Sequence, residues 1–261
     1  MPERPEIDWY DTPRYYDLVF DEDTPLEGHF LEAMVERHGR SRGRRALEPA
    51  CGSGRLVVEL ARRGWRVTGN DLSRPMLDYA RARLREEGLS ARLVHGDMAE
   101  LELAGRFDLA HCLVSTFKYL LSERAATRHL ERVADLLVPG GLYCLGFHLT
   151  DYDNLRFDRE RWVVDEGDTR VVCNIQAWPA DPGRRRERMR SRMRITEAGR
   201  VHEQETHWWF RTWDARQVRR LLRREPRLEL VAVHDFRYDP EVEITLEEGF
   251  DVLLVLRRRP D

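Results

Sequence analysis

Between Arg45 and Phe147, short apolar runs alternate with segments whose apolar residues recur every three or four positions, the pattern of a parallel sheet flanked by helices. RALEPA (45–50), RVTGNDL (66–72), ARLVHGDM (91–98), FDLAHCLVS (107–115) and LYCLGFHL (142–149) read as five strands. RLVVELARRG (55–64) sets Leu56, Val57, Leu60 and Ala61 on one helical face and stops at Gly64. SRPMLDYARARLREEG (73–88) is a second helix, with Ser73 as N-cap, a proline in its first turn and Gly88 after its end. SERAATRHLERVADLLVPGG (122–141) is a third, capped by Ser122 and ended by Pro139 and Gly140.

After Leu149 the period becomes two. Residues 161–178 read as a hairpin turning at Glu166 to Asp168, and residues 186–213 as another turning at Glu197 to Arg200. A helix then starts at Asp214, and strands at 227–236 and 250–258 close the chain. The expected architecture is α/β: a seven-stranded, mostly parallel sheet with its last strand antiparallel, interrupted by an antiparallel β insertion. The expected units are an N-terminal helical cap (1–40), a core (41–149 and 213–261) and the insertion (150–212), read as a substrate lid.

Composition narrows the partners. The 261 residues carry 44 basic and 47 acidic side chains, a net charge of -3, so no global field favours nucleic acid or anionic lipid. Lys118 is the single lysine, which reads as compositional habit. Cys51, Cys112, Cys144 and Cys173 are far apart with no zinc spacing, which points to a reduced, cytoplasmic setting. The polar, aromatic N-terminus lacks the features of a signal peptide, and no apolar run approaches the ~20 residues of a membrane span. A soluble monomer or homodimer without membrane partners is expected.

The chemistry starts at LEPACGSGR (47–55). A Walker loop would need GxxxxGK[ST], and no lysine stands here; a dinucleotide fingerprint would want glycine where Val57 stands. Gly52 and Gly54 permit close backbone approach, but the glycines alone suit any strand-helix turn. Asp71, 17 residues past Gly54 at the next strand tip, is placed to accept both hydroxyls of a ribose; its plain alternative is a turn or N-cap aspartate. Asp97 holds the equivalent tip of the third strand, where it can meet an adenine amino group with Leu72 and Met98 as apolar faces, or be a loop residue.

Together these residues resemble the class I S-adenosylmethionine-dependent methyltransferases of small-molecule type, over roughly Arg45 to Phe147. The resemblance rests on Glu48 with the turn Pro49-Ala50-Cys51-Gly52-Ser53-Gly54, on Asp71, on Asp97 and on LLVPGGLYCL before the fifth strand. It implies a Rossmann-like fold, S-adenosylmethionine as cofactor with S-adenosylhomocysteine as product, and contacts from Tyr16, Glu48, Ala50, Gly52, Gly54, Asp71, Leu72, Met76, Asp97, Met98 and Leu113. Ala50 departs from the family's usual glycine and leaves the backbone there less free. RYYDLVF (14–20) is similar to a segment that folds over the cofactor in such relatives, making Tyr15 and Tyr16 candidates and Arg14 a partner for the cofactor carboxylate; the alternative is packing of a surface helix.

The acceptor side is less determined. No Pro-Pro follows the fourth strand, which argues against base or amide methylation, and STFKYL resembles small-molecule relatives. TDYDN offers Asp151, Asp153 and Asn154 to a metal, but Val114-Ser115 supplies no first ligand, so no metal is expected. Tyr15, Tyr119, His148, Trp208 and Trp209 are the candidate substrate residues, and His148 and His207 the candidate catalytic ones. Arginines 188, 190, 192 and 194 would share one strand face, either an RNA stripe or a solvated face paired with the acids of VHEQE. The expected reaction is methyl transfer to a nitrogen or oxygen of a small-molecule acceptor. An NAD-dependent oxidoreductase and a noncatalytic cofactor-binding or RNA-associated protein are the alternatives. Carboxylates beyond the cofactor sulfur would suit an amine; histidine and aromatics would suit a phenol.

Overall fold

The computed structural model describes residues 7–260. Residues 1–6 of the expected cap segment and residue 261 of the expected core lie outside the described residues. Seven strands form one sheet in the order β10-β11-β5-β4-β1-β2-β3. They are β1 (Arg45–Pro49), β2 (Arg66–Asp71), β3 (Arg92–His95), β4 (Phe107–Cys112), β5 (Leu137–His148), β10 (Leu228–His234) and β11 (Asp251–Arg258). β1 to β5 pair in parallel, and β11 runs antiparallel to both β5 and β10. The order reverses between β1 and β4, so the C-terminal ends of the central strands frame the crevice where open α/β sheets bind ligands.

Helices cover both faces. α3 (Arg55–Arg62) and α4 (Arg74–Glu86) follow β1 and β2, with Ser73 Oγ capping α4 by accepting the Met76 N–H. α5 (Glu123–Leu136), capped by Ser122, and α6 (Ala215–Leu222), closed by an Asp214–Gln217 capping box, pack against each other. The third predicted helix ends earlier than its Pro-Gly-Gly signal: β5 begins at Leu137, with Gly140 at φ +79° inside it. In the N-terminal segment, α1 (Pro13–Phe20) contacts α4 and the insertion, whereas α2 (Thr24–His38) buries Phe30, Leu31 and Met34 in the core beside α3.

The insertion is a second sheet, an antiparallel meander of β6 (Asp158–Glu166), β7 (Thr169–Ala177), β8 (Arg186–Glu197) and β9 (Arg200–Arg211). Along β8, Glu187, Met189, Ser191, Met193 and Ile195 are buried, which turns Arg188, Arg190, Arg192 and Arg194 to the opposite face. Arg192 pairs there with Glu205. The inner face packs Val171, Cys173, Met193 and Ile195 against Trp9, Val19 and the aromatics of the N-terminal segment. Among the described residues no helix is long and apolar enough to cross a membrane.

Candidate active site

The turn after β1 holds three alternating residues at positive φ: Ala50 at +54°, Gly52 at +53° and Gly54 at +75°. The two glycines serve different ends. A Cβ on Gly54 would lie 2.6 Å from the Ala80 Cβ, so this glycine lets α3 approach α4; a Cβ on Gly52 would meet nothing within 4 Å, so its open side is available to a ligand. Ala50 takes a backbone conformation that costs an L-residue roughly 1–2 kcal/mol.

A 50 Å³ cavity opens at this turn, lined by Glu48, Ala50, Gly52, Leu113 and Tyr16 among others. Glu48 is 8% exposed, and its Oε2 has no hydrogen-bond partner. Burial pushes its pKa well above the usual carboxylate range, against the pull of the Arg55 charge. His111 lies 4.0 Å from the Glu48 carboxylate; burial holds its pKa near 3, so it is neutral and does not compensate the acid. Arg55 forks onto Glu27 at 2.5 and 3.0 Å.

At the tip of β2, Asp71 accepts from the Gly52 N–H at 2.8 Å and the Ser73 N–H at 2.7 Å. Burial raises its pKa, and those two donors oppose the shift. Beside it Leu72 is 62% exposed. At the tip of β3, Asp97 accepts from Ala99 N–H, and the Met98 carbonyl, buried, meets His129 Nδ1. Asp71, Leu72, Asp97 and Met98 lie outside the two cavities described here, and Met76 is buried behind the first turn of α4.

α1 is bolted to the turn by Asp17, which accepts from Ser53 Oγ at 2.6 Å and from Arg83 Nη1 at 2.7 and 2.8 Å. This anchor sets Tyr16 and Phe20 against the turn cavity and, on its far side, against a larger one of 440 Å³. Tyr16, Phe20, Arg55, Val114 and Thr116 line both. Tyr10, from the 3-10 turn Trp9–Asp11, closes the roof through a 2.7 Å bond to Tyr119.

The end of β4 supplies the polar edge. Strand geometry stops at Cys112 and not at Ser115, because Val114 and Ser115 take φ +53° and +65°. Ser115 Oγ accepts the His148 backbone N–H at 3.2 Å and lies 2.7 Å from His148 Nδ1. Its hydroxyl hydrogen is therefore assigned to Nδ1, leaving the ring proton on Nε2, which faces Glu187 at 3.4 Å. The same Glu187 oxygen accepts from Lys118 Nζ at 2.5 Å. Burial would raise Glu187, but the His148 hydrogen bond and the Lys118 charge hold it at about 2; burial and the Lys118 charge lower His148.

Several expected site residues sit elsewhere. Strand alternation turns Trp208 and Phe210 into the large cavity and sends His207 and Trp209 to the outer face, where His207 bonds Glu205 and Trp209 is 46% exposed. Tyr15 and Arg14 face the β8–β9 turn, both bonded to Glu197. Sequence reasoning missed Trp9, Tyr10, Ser115 and the Lys118–Glu187 pair. A single lysine among so many arginines was the one signal for the last.

The strand order, the glycine turn and the acids at the two following strand tips define the class I methyltransferase fold, and residues 46–141 match the model of the family described as methyltransferase domain. A crystal structure of an S-adenosylmethionine-dependent methyltransferase from Clostridium acetobutylicum superposes with a TM-score of 0.78 at 19% identity, covering 97% of this chain and 99% of that one. The sequence is 32% identical over 138 residues to a putative methyltransferase of Geobacillus sp. (strain WCH70), 52% of this chain and 56% of the relative. It is 35% identical over 130 residues to the dTDP-3-amino-3,6-dideoxy-alpha-D-glucopyranose N,N-dimethyltransferase of Streptomyces fradiae, 49% of each chain. The chain thus spans about half the length of the curated relatives it matches.

Proposed function

We propose that this chain transfers a methyl group from S-adenosylmethionine to a nitrogen or oxygen of a small molecule held in the 440 Å³ cavity. The observation that carries this reading is the unpartnered Glu48 Oε2, buried in a cavity whose far wall is also the wall of the larger one. An ammonium such as that of the cofactor's methionine end satisfies a buried carboxylate that Arg55, committed to Glu27, offsets only in part. Gly52 offers open backbone beside it, and Asp71 is the ribose acceptor. When bound, S-adenosylmethionine supplies a sulfonium-activated methyl group, whose bond to sulfur breaks with its electron pair left on sulfur as the acceptor's lone pair takes the carbon.

The protein's own part is enclosure and alignment. Tyr16 and Phe20 divide the two cavities, Tyr10 and Tyr119 close the larger one, and the insertion walls the acceptor side with Trp162, Trp208 and Phe210. This supports α1 as a cap and the insertion as a substrate lid. His148, with both ring nitrogens engaged, orients the acceptor edge through Ser115. The test is radiolabelled methyl transfer to a panel of small amines and phenols, with parallel titrations of S-adenosylhomocysteine and NAD. Labelled product and S-adenosylhomocysteine binding are expected; NAD binding without S-adenosylhomocysteine binding would overturn the reading in favour of an oxidoreductase.

A further inference from the structure

The large cavity carries a pronounced charge imbalance. Glu22, Asp23, Asp151, Asp158, Glu160 and Asp251 line it without an ion pair among the described residues, while Arg55 is committed to Glu27 and Arg156 stands exposed at the rim. The acids converge from four places: Asp158 and Glu160 from β6 at the insertion's edge, Asp251 from β11 beside His148, Asp151 from the loop after β5, and Glu22 and Asp23 from the turn between α1 and α2. Asp158 and Asp251 both act on Glu160: partial desolvation at the cavity wall and these two charges raise its pKa, although its side chain keeps solvent contact.

A second observation points to a ligand. Trp9 is 4% exposed, lines this cavity, and its indole Nε1 has no partner; Trp208 lines it too, with an equally unpartnered Nε1. A buried N–H donor left open calls for an acceptor atom such as a hydroxyl. The carboxylates and the rings of Trp162 and Phe236 call for a cation; the Trp178 ring already carries the Arg188 and Arg190 guanidinium groups. A diphosphate brought to this wall would meet six unpaired acids and one exposed arginine.

Resting on the reading of the site given above, we infer that the acceptor is a hydroxylated amine without phosphate, gripped as its ammonium at Asp158, Glu160 and Asp251, and that its nitrogen takes the methyl group only after the ammonium proton has passed to one of these carboxylates or to solvent. In lacking phosphate it differs from the nucleoside diphosphate amino sugar named for the Streptomyces fradiae relative.

The experiment is calorimetric titration of the intact chain, with and without S-adenosylhomocysteine, using three probes: 3-amino-3,6-dideoxyglucose, its dTDP conjugate and spermidine. The free amino sugar should bind at least tenfold more tightly than the conjugate, and both cationic probes should weaken as salt rises. Glu160→Gln combined with Asp251→Asn should weaken both cationic probes about tenfold and narrow the gap to the conjugate, while S-adenosylhomocysteine affinity is retained. Conjugate binding equal to or tighter than the free sugar overturns the inference, as does absence of binding by both cationic probes at 10 mM. Loss of S-adenosylhomocysteine binding with charge-dependent probe binding intact would instead count against the cofactor reading alone.

Discussion

Removing the Lys118 ammonium tests how the insertion is held to the core. Lys118 is fully buried in the 3-10 turn Thr116–Tyr119, and its partner Glu187 lies on β8 of the second sheet. Holding Glu187 at about 2 instead of the usual 4.5 corresponds to roughly 3 kcal/mol. Lys118→Met takes away the cation and leaves an acid 8% exposed with only the longer His148 contact. Breaking a buried pair from one side typically costs about 3–5 kcal/mol, and here burial, which lowers the Lys118 pKa, returns part of it. The expected loss is about 3 kcal/mol, a fall of roughly 6–12 °C in Tm for a domain of this size. Urea denaturation at pH 7 measures it, and Lys118→Met with Glu187→Leu should recover more than half, since no charge is then left uncompensated. Glu187 is depressed in the folded state, so its contribution is present above about pH 4.5 and is lost as pH falls through 2; in the single variant the acid limb moves upward. A loss below about 1 kcal/mol would refute the argument that the pair is sealed from solvent.

Three further outcomes follow from the geometry. Gly54→Ala should destabilise by about 2–4 kcal/mol in the same assay, because its Cβ meets Ala80 and its φ is +75°; Gly52→Ala should cost less stability, since its side is open. His111 and His129 are buried with pKa values lowered to about 3 and 4, so below pH 6.5 the unfolded chain takes protons that the folded one refuses. Stability should therefore fall with pH between about 6.5 and 4, by roughly 2 kcal/mol per histidine at pH 5, and His111→Asn with His129→Asn should flatten that slope in pH-dependent melts. Because Glu48 is raised by burial, binding the cofactor's ammonium should release a proton, and calorimetry in buffers of different ionisation enthalpy should show affinity for S-adenosylhomocysteine rising with pH.

Much of the core was legible from the chain alone, for a physical reason. Strands buried on both faces, such as β1 and β4, read as apolar runs, and the caps at Ser73, Ser122 and Asp214 set helix starts where the structure has them. Boundaries went astray where backbone conformation overrode side-chain pattern: Val114 and Ser115 are compatible with a strand in sequence yet turn left-handed, which brings Ser115 to His148. On the site, the placement of Glu48, Gly52 and Leu113 at the turn cavity follows from local spacing. His207, Trp209 and Tyr15 were misdirected because alternation along a strand or helix has a phase as well as a period, and the phase is set by what the element packs against. The Lys118–Glu187 and Asp17–Arg83 pairs join residues more than sixty positions apart, which no local pattern encodes.

The central claim is that the turn after β1, with Asp71 beyond it, seats S-adenosylmethionine. Titration of the wild-type chain and of Asp71→Ala with S-adenosylhomocysteine tests it most directly. One equivalent should bind the wild type, and the variant should bind about 30- to 150-fold more weakly, as expected when a carboxylate accepting ribose hydroxyls is lost. Equal affinity in the two proteins, or no binding to the wild type, would contradict the account.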